Sequence, residues 1–287
     1  MSMSDHSIRG STKLVGVLGD PVAHSLSPAM HNAAFQALGL DWCYVPLHVA
    51  PERMEAALPG LVALGFVGAN VTIPHKERAA ELSAELSPTA RAVGAVNTLI
   101  VREGALYGDN TDVGGILRAL AEAGVDLPGR AAVVLGAGGS ARAAAYALAG
   151  AGCRVTVANR HAARAESLAA LLTAQLGREV EAIALGDEVA LQARLEGTAV
   201  LVNTTAAGME PHADESPLPE RVALHPGLAV LDLVYAPRQT LLLRRAAAAG
   251  CRTVEGLRVL IHQGALSFEM WTGQPAPVDV MSRAIGG

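Results

Sequence analysis

Short apolar segments alternate with segments rich in alanine and leucine along almost the whole chain. Runs with β-branched residues, such as KLVGVLG and AAVVLG, are followed at helix-sized intervals by runs such as SPAMHNAAFQALG. Strands that alternate with helices in this way form right-handed βαβ crossovers and a largely parallel sheet. The pattern therefore predicts an α/β protein.

The length of 287 residues favours two domains, because one domain usually holds about 100 to 200 residues. Strands are predicted in KLVGVLG, WCYVPLHV, GANVTI and AVNTLIV, and helices in SPAMHNAAFQALG, PERMEAALPGLVALG and KERAAELSAEL. After the turn residues LPGR a second set of strands begins, in AAVVLG, CRVTVAN, VEAIAL, TAVLVNT and LAVLDLV. We expect this second set to form a doubly wound unit.

Composition excludes several classes of partner. The net charge is only -5, basic residues are not clustered, and aromatic residues make up 3% of the chain, so we expect no nucleic acid partner. The uncharged stretch 56–75 contains two prolines and three glycines, so we expect no membrane partner. Three widely separated cysteines predict a cytoplasmic protein without disulfides.

A glycine-rich turn is the strongest local signal for a cofactor. Gly136, Gly138 and Gly139 stand between a predicted strand and a predicted helix, where backbone amides can hold a pyrophosphate. About 20 residues further on, where NAD-binding folds place an acidic residue, this chain has Arg160 and Arg164. Their positive charge favours NADP over NAD, unless the turn is a plain connection and the arginines merely solvate a helix.

Six polar motifs follow one another between Gly19 and Gly273: AHSLSP, GANVTIPHKE, GAVNT, GDNTD, VYAPRQTLL and HQGALSFEMWTG. Together they resemble the shikimate dehydrogenase family. The resemblance implies an N-terminal α/β substrate domain with a mixed sheet, a Rossmann-like NADP domain with a doubly wound parallel sheet, and a cleft between them. The expected ranges are 13–114 for the catalytic domain, 115–256 for the NADP domain and 257–287 for C-terminal helices that return to the catalytic domain.

The activity implied is the reversible NADPH-dependent reduction of 3-dehydroshikimate to shikimate in aromatic amino acid biosynthesis, by a monomer or homodimer. Quinate and aminoshikimate dehydrogenases of the same family are alternatives, although serine rather than threonine at position 27 favours shikimate. A non-catalytic sensor of NADPH and a metabolite is an alternative of another class. Arg258 and Val259 depart from the glycine and methionine that the family more often has beside the nicotinamide.

Lysine is rare in this chain, since 20 of the 22 basic residues are arginine and only Lys13 and Lys76 are lysine. A dehydrogenase must move the hydroxyl proton of its substrate, which lysine can do and arginine cannot. The resemblance pairs Lys76 with Asp112, the last residue of GDNTD, across the alcohol. A carboxylate raises the pKa of a neighbouring lysine and burial lowers it, so we expect a coupled titration in which either group can hold the proton. A calcium loop is excluded because Val113 stands where a ligand belongs.

The resemblance also assigns the other contacts. Ser25, Ser27 and Tyr235 correspond to residues that hold the substrate carboxylate, and Thr72, Asn97 and Gln263 to residues that bind ring hydroxyls. The expected cofactor contacts are Gly136, Ala137, Gly138, Gly139, Ser140, Ala141, Asn159, Arg160, Arg164, Thr204, Leu233 and Gly256. No metal site is expected, and we interpret His24, His31, His75 and His262 as pocket walls or helix surface.

Overall fold

The computed structural model describes residues 8–287, and the chain forms two compact units. The first unit consists of the residues up to Thr111 together with Gln263–Gly287, and the second is Asp112–His262. The chain thus crosses between units at 111/112 and 262/263, where the sequence analysis expected 114/115 and 256/257. The expected second boundary lies at the start of a helix because turn residues and glycines mark helix ends in the sequence. The observed boundary falls inside that continuous helix, Gly256–Thr272, where no such signal exists.

The first unit contains a six-stranded mixed sheet. Its strands are β1 (Lys13–Gly19), β2 (Trp42–His48), β3 (Gly68–Val71), β4 (Glu85–Leu86), β5 (Thr98–Arg102) and β6 (Ala105–Asp109), in the order β2-β1-β3-β5-β6-β4. The helices are α1 (Ser27–Ala37), α2 (Met54–Ala63), α3 (Lys76–Leu82), α4 (Pro88–Val93) and, at the C-terminus, α11 (Val278–Ala284), with a 3₁₀ turn at Pro51–Arg53. β1 runs parallel to β2 and β3, while β5 is antiparallel to β3 and β6.

The antiparallel hairpin of β5 and β6 was not predicted from the sequence. Its turn is Glu103–Gly104, and both residues have positive φ, as a two-residue hairpin turn of type I′ requires. The helix predicted in KERAAELSAEL is also too long, because α3 ends at Leu82 and Glu85–Leu86 pairs with β6. Pairing with a neighbouring strand has overridden the local helix propensity.

The sequence, with Ser27 before Pro28, predicts a helix whose first helical residue is the proline, and the start of α1 differs from this by one residue. Ser27 is already helical and Leu26 is the capping residue, so Pro28 is the second helical residue. Proline is tolerated there because the first N–H groups of a helix have no partner within it.

The core of the first unit has an aromatic side. His31, Phe35, Phe268 and Trp271 are all buried, and the ring of His31 stacks on Tyr44 at 4.5 Å between centroids. The interpretation of His31 as a pocket wall or helix surface is wrong, since the apolar face of α1 carries it into this cluster.

The second unit contains six parallel strands: β7 (Ala131–Leu135), β8 (Arg154–Asn159), β9 (Val180–Ala184), β10 (Thr198–Asn203), β11 (Ala229–Asp232) and β12 (Arg252–Glu255). The helices are α5 (Asp112–Glu122), α6 (Gly139–Gly150), α7 (Ala162–Leu176), α8 (Glu188–Leu195), α9 (Leu241–Ala248) and α10 (Gly256–Thr272), which continues into the first unit. The strand order β12-β11-β10-β7-β8-β9 is that of a Rossmann fold, with its reversal between β7 and β10.

Small residues allow the helices of this unit to approach the sheet closely. α6 buries Ala141, Ala144 and Ala145 within the apolar core beneath β7 and β8. β12 was not predicted, because only one of its four residues is buried and its sequence, RTVE, gives a weak strand signal. Over residues 8–287, no helix is long and apolar enough to span a bilayer.

Candidate active site

The reversal between β7 and β10 is where Rossmann folds bind ligands, beyond the carboxyl ends of the strands. Leu135 and Asn203 end these strands in register. The hydroxyl and the backbone N–H of Thr204 both donate to the carbonyl of Leu135, at 2.6 and 3.0 Å. Gly136 has a φ of 114°, and a Cβ there would lie 2.4 Å from Thr204 Oγ1, so only glycine fits.

The turn that follows Gly136 leads directly into α6. Gly138 is the capping residue of this helix, and its Cα faces open space, since a Cβ added there would meet no atom within 4 Å. Helix N-termini present unpaired N–H groups and a partial positive charge, which suit a pyrophosphate. The predicted cofactor residues 136–141 therefore share one turn, of which Ala137 and Ala141 are buried and Gly138 to Ser140 are partly accessible.

The end of β8 carries the predicted 2′-phosphate residues. The side-chain amide of Asn159 donates to the carbonyl of His161 at 3.0 Å and orders the turn before α7. Arg160 and Arg164 are both exposed on this turn and on the first turn of α7. Two accessible guanidinium groups at this position fit a phosphate on the ribose.

Two further cofactor positions lie at the end of β11. The backbone N–H of Leu233 donates to the carbonyl of Asn203 at 2.9 Å. At Gly256, a Cβ would lie 2.5 and 2.6 Å from the carbonyl oxygens of Leu233 and Asp232. Tyr235, the predicted carboxylate contact, follows Leu233 by two residues and is half-buried.

In the first unit, Thr72 directly follows the carboxyl end of β3, and Ser25 and Ser27 lie on the segment that leads from β1 into α1. The N–H of Ser27 donates to Ser25 Oγ at 3.3 Å, and the N–H of Thr72 donates to the carbonyl of Leu18 at 2.9 Å. A Cβ at Gly19 would lie 2.4 Å from Thr72 Cγ2, so the chain passes closely over Thr72. The structure thus brings a predicted hydroxyl contact to the strand end from which the serine segment departs.

Asn97 lies at the centre of a buried polar network. Its side-chain nitrogen donates to Thr111 Oγ1 at 3.0 Å and to Gln263 Oε1 at 3.3 Å, and its side-chain oxygen accepts from the N–H of Thr111 at 2.7 Å. Asn97, Thr111 and Gln263 are 2%, 3% and 8% exposed. Satisfied buried networks hold side chains in one orientation, so the predicted ring-hydroxyl contacts Asn97 and Gln263 are fixed together.

Four members of this network were not predicted from the sequence: Thr111, Asn70, Thr98 and Ser267. Ser267 Oγ receives a hydrogen bond from Asn70 Nδ2 at 2.9 Å and lies 2.8 Å from Thr98 Oγ1. Ser267 also donates to the carbonyl of Gln263, one helical turn earlier on α10. The spacing of four residues between Gln263 and Ser267 on a predicted helix is the signal that could have identified Ser267.

Lys76 begins α3 beside this network. The carbonyl of Lys76 accepts from the N–H of Val96 at 2.8 Å, one residue before Asn97. Asp112 follows Thr111 directly, opens α5 and is 7% exposed. Along the chain, Asn97 therefore lies between the two predicted catalytic residues, Lys76 within the first unit and Asp112 as the first residue of the second.

A turn that caps the following helix is one interpretation that the sequence favours for Asp109 and Asn110, but the structure gives both residues other partners. Asp109 ends β6, and its Oδ1 accepts from the hydroxyl of Ser87, the capping residue of α4, at 2.6 Å. The side-chain amide of Asn110 donates to the carbonyl of Ala95 at 2.8 Å. The clustered polar groups therefore join β6 to α4 and to the segment before β5.

Two histidines near the motifs have structural partners. The Nε2 of the buried His75 lies 2.6 Å from the carbonyl of Val49, and the Nε2 of His262 lies 2.9 Å from Glu122 Oε2. His75 is thus a core residue and not a pocket wall, whereas His24 is exposed. Within the part of the chain that the structure describes, no group of histidine, cysteine and acidic residues could hold a metal ion.

Arg258, one of the departures from the family pattern, has a partner within the second unit. Its Nε donates to Glu122 Oε2 at 3.0 Å, at the end of α5. Partial burial acts to raise the pKa of Glu122, but hydrogen bonds from Arg258 and His262 outweigh it and hold that pKa below its ordinary value. The guanidinium is therefore engaged in joining α10 to α5.

A Rossmann unit whose glycine turn faces the strand reversal, joined to a unit rich in fixed hydroxyl and amide groups, has the organisation of a dinucleotide-dependent oxidoreductase. Family models agree with this class. The model for the shikimate dehydrogenase substrate binding domain matches residues 17–99, that for shikimate/quinate 5-dehydrogenase matches 119–213, and that for the shikimate 5′-dehydrogenase C-terminal domain matches 256–285.

Individual relatives cover nearly the whole chain. The NADP(+) shikimate dehydrogenase of Methanothermobacter thermautotrophicus is 46% identical over 97% of both chains, and that of Symbiobacterium thermophilum is 49% identical over 96% of this chain and 94% of its own. A crystal structure of shikimate 5-dehydrogenase from Thermus thermophilus in complex with NADP(H) and shikimate has a TM-score of 0.85, with 40% identity over 96% of this chain and 99% of its own. The chain belongs to the shikimate dehydrogenase family.

Proposed function

We propose that this protein catalyses the reversible NADPH-dependent reduction of 3-dehydroshikimate to shikimate, a step of aromatic amino acid biosynthesis. The observation that carries the proposal is the identity of 42 to 49% with curated NADP(+) shikimate dehydrogenases over at least 95% of the chain. A quinate dehydrogenase from Corynebacterium glutamicum in complex with NAD is 32% identical. The higher identity with the shikimate dehydrogenases than with this quinate dehydrogenase favours shikimate and NADP over the quinate alternative.

The cofactor is NADP, and the residues present fit it. Gly136 permits the close approach of the backbone that a pyrophosphate needs, and residues 137–141 continue the turn into α6. Arg160 and Arg164 would hold the 2′-phosphate, with Asn159, Thr204, Leu233 and Gly256 completing the contacts. When bound, NADPH supplies the hydride.

The substrate is a small carboxylate with several hydroxyl groups. In the proposed site, Ser25, Ser27 and Tyr235 bind the carboxylate, and Thr72, Asn97 and Gln263 bind the ring hydroxyls. The Asn97 network supports this assignment, because neutral donors and acceptors that are fixed by neighbours recognise hydroxyl groups at little further entropic cost.

Proton transfer is assigned to Lys76 and Asp112. Reduction of a carbonyl leaves an oxygen that must gain a proton, and the reverse reaction removes a hydroxyl proton. Lysine exchanges a proton at accessible pH and arginine does not, which explains the use of one of only two lysines at position 76. Asp112 is the acid in the proposed pair.

Location and assembly belong to the same proposal. Cys43, Cys153 and Cys251 are free thiols, as in proteins of the reducing cytoplasm, which is where we place this enzyme. We expect a monomer or a homodimer, and light scattering of the purified protein measures which of the two forms.

Steady-state kinetics test the proposal. We expect kcat/KM for oxidation of shikimate with NADP to exceed that for quinate, and NADP to be preferred to NAD. Higher kcat/KM for quinate with NAD would replace the proposed substrate and cofactor. Tight binding of NADPH and shikimate without any turnover would instead support a non-catalytic sensor.

A further inference from the structure

Asp232 is a buried carboxylate at the end of β11, outside the proposed set of ligand contacts. Asp232 is 0% exposed. Burial raises the pKa of its carboxyl, and the three hydrogen bonds that the carboxylate accepts act in the opposite direction. Asn203 Nδ2 donates to Oδ1 at 2.8 Å, the N–H of Val234 donates to Oδ1 at 3.0 Å, and the hydroxyl of Thr240 donates to Oδ2 at 2.7 Å. Burying a carboxylate costs free energy unless such donors surround it. An acid with a complete set of donors at this position therefore indicates a specific role.

One side of this carboxylate controls the loop after β10. The side-chain N–H of Asn203 donates to Asp232. This bond fixes the amide group of Asn203 so that the amide oxygen faces the loop. That oxygen accepts from the backbone N–H of Thr205 at 2.9 Å and from the hydroxyl of Thr205 at 2.8 Å. Thr205 Oγ1 in turn accepts from the N–H of Ala207 at 3.2 Å. The loop that starts with the proposed cofactor contact Thr204 is thus held through Asp232.

The same oxygen, Oδ1, and the second oxygen, Oδ2, hold the loop after β11. The N–H of Val234 binds Asp232 directly, one residue before Tyr235. Thr240 closes the same loop, because its hydroxyl donates to Asp232 while accepting from the N–H of Leu243 at the start of α9. The segment 233–240 is therefore attached to Asp232 at both ends.

We propose that Asp232 is a positioning residue that sets the two loops carrying the cofactor contacts Thr204 and Leu233 and the substrate contact Tyr235. This inference rests on the proposed function for the roles of those contacts. The N–H groups of Thr204 and Leu233 continue the strand pairing to the carbonyls of Leu135 and Asn203, and the residues that follow them are tied to the carboxylate through its three donors. Loss of that anchor would displace ligand contacts in both loops together, and small displacements weaken binding and turnover.

Three substitutions separate positioning from general stability. Asp232→Ala removes all acceptors. Asp232→Asn keeps the shape and the Oδ1 acceptor, and the Thr240 hydroxyl can turn to accept from the new amide. Asp187→Ala is the matched control, since Asp187 caps α8 in the same unit by accepting from the N–H of Ala190 at 3.0 Å, outside the proposed contacts.

The experiment measures NADPH affinity by fluorescence titration, together with KM for shikimate and kcat, on variants whose fold is checked by circular dichroism. We expect Asp232→Ala to weaken NADPH binding and to raise KM for shikimate by about tenfold or more, as loss of hydrogen bonds to a charged group predicts. Asp232→Asn and Asp187→Ala should stay within about threefold of the wild type. A folded Asp232→Ala variant with wild-type constants, or an Asp232→Asn variant as impaired as Asp232→Ala, overturns the inference.

If Asp232→Ala does not fold, Thr240→Val and Thr240→Ser provide the test. Valine removes the bond to Oδ2 and serine keeps it, so we expect weaker NADPH binding only with valine. Equal affinity of the two variants would refute the role of Asp232. Because NADPH titration requires no turnover, it tests the inference even if the wild type fails to oxidise shikimate, which would count against the proposed function alone.

Discussion

Thr111 donates its backbone N–H to the side-chain oxygen of Asn97 at 2.7 Å, which fixes the end of the GDNTD motif against the residue that precedes β5. The same asparagine donates to the hydroxyl of Thr111. This double contact determines where the chain enters α5. It therefore fixes the position of Asp112, the first residue of that helix. The motif acts as a structural connection for its first four residues and supplies the proposed acid with its last.

Replacing Asn97 should impair substrate binding more than cofactor binding. Asn97→Ala leaves buried donors and acceptors on Thr111 and Gln263 without their partner, which costs about 1 to 3 kcal/mol of stability. We expect KM for shikimate to rise by about tenfold or more, with NADPH affinity unchanged.

The matched control for this substitution is Asn32→Ala. Asn32 makes two hydrogen bonds to the backbone of Tyr44, at 2.9 and 2.8 Å, in the same unit. The Asn32→Ala substitution should lower the free energy of unfolding and leave KM for shikimate as in the wild type. If both variants raise KM equally, Asn97 has no special part in substrate binding.

The arginines after β8 should determine the choice between NADP and NAD. Removing both charges with Arg160→Ala and Arg164→Ala is expected to raise KM for NADP by on the order of 100-fold, since two charge-assisted contacts to phosphate are lost. KM for NAD should change little. Arg221→Ala, at another exposed arginine of the same unit, serves as the control. An equal loss with both cofactors would show that these arginines do not read the 2′-phosphate.

His31 should make the protein less stable in acid. Burial lowers the pKa of His31 to about 3 from the ordinary 6.5, so between these values the unfolded chain binds a proton that the folded chain does not. Its contribution to stability is therefore complete above about pH 6.5 and is lost as the pH falls towards 3, by at most about 1.4 kcal/mol per pH unit.

Denaturant unfolding of the wild type and of His31→Phe over this range measures the effect. The variant should have a flatter dependence of unfolding free energy on pH, whatever its stability at neutral pH. His161→Phe provides the comparison, since it makes the same substitution at an exposed histidine. Identical slopes for the wild type and His31→Phe would contradict the assignment.

Periodicity predicted most strands of both sheets because each has a continuous apolar run. β4, β6 and β12 escaped prediction for the opposite reason, since they have few buried residues and are stabilised by pairing with neighbouring strands. The glycine turn was informative because the conformation of Gly136 excludes other residues, and a local constraint of that kind is visible in the sequence.

Partners that are distant in sequence could not be predicted. Ser267 and Asn70 are 197 residues apart, and Asp232 joins two loops whose ordinary sequences carry no signal of a buried acid. The burial of His31 among aromatic rings could not be predicted either, because the sequence of an amphipathic helix does not reveal which neighbours surround its buried face. Hydrogen bonds of this kind depend on tertiary packing, which a single sequence does not specify.

The measurement that tests the central claim most directly is the turnover of Lys76→Ala beside that of Lys13→Ala. Lys13 is the only other lysine and lies over the ring of Trp42 at 5.2 Å. We predict that Lys76→Ala lowers kcat by about 10²- to 10⁴-fold, the usual contribution of a positioned acid or base, while shikimate and NADPH still bind. Lys13→Ala should retain wild-type turnover. A Lys76→Ala enzyme with kcat close to that of the wild type would contradict the assignment of proton transfer to this residue.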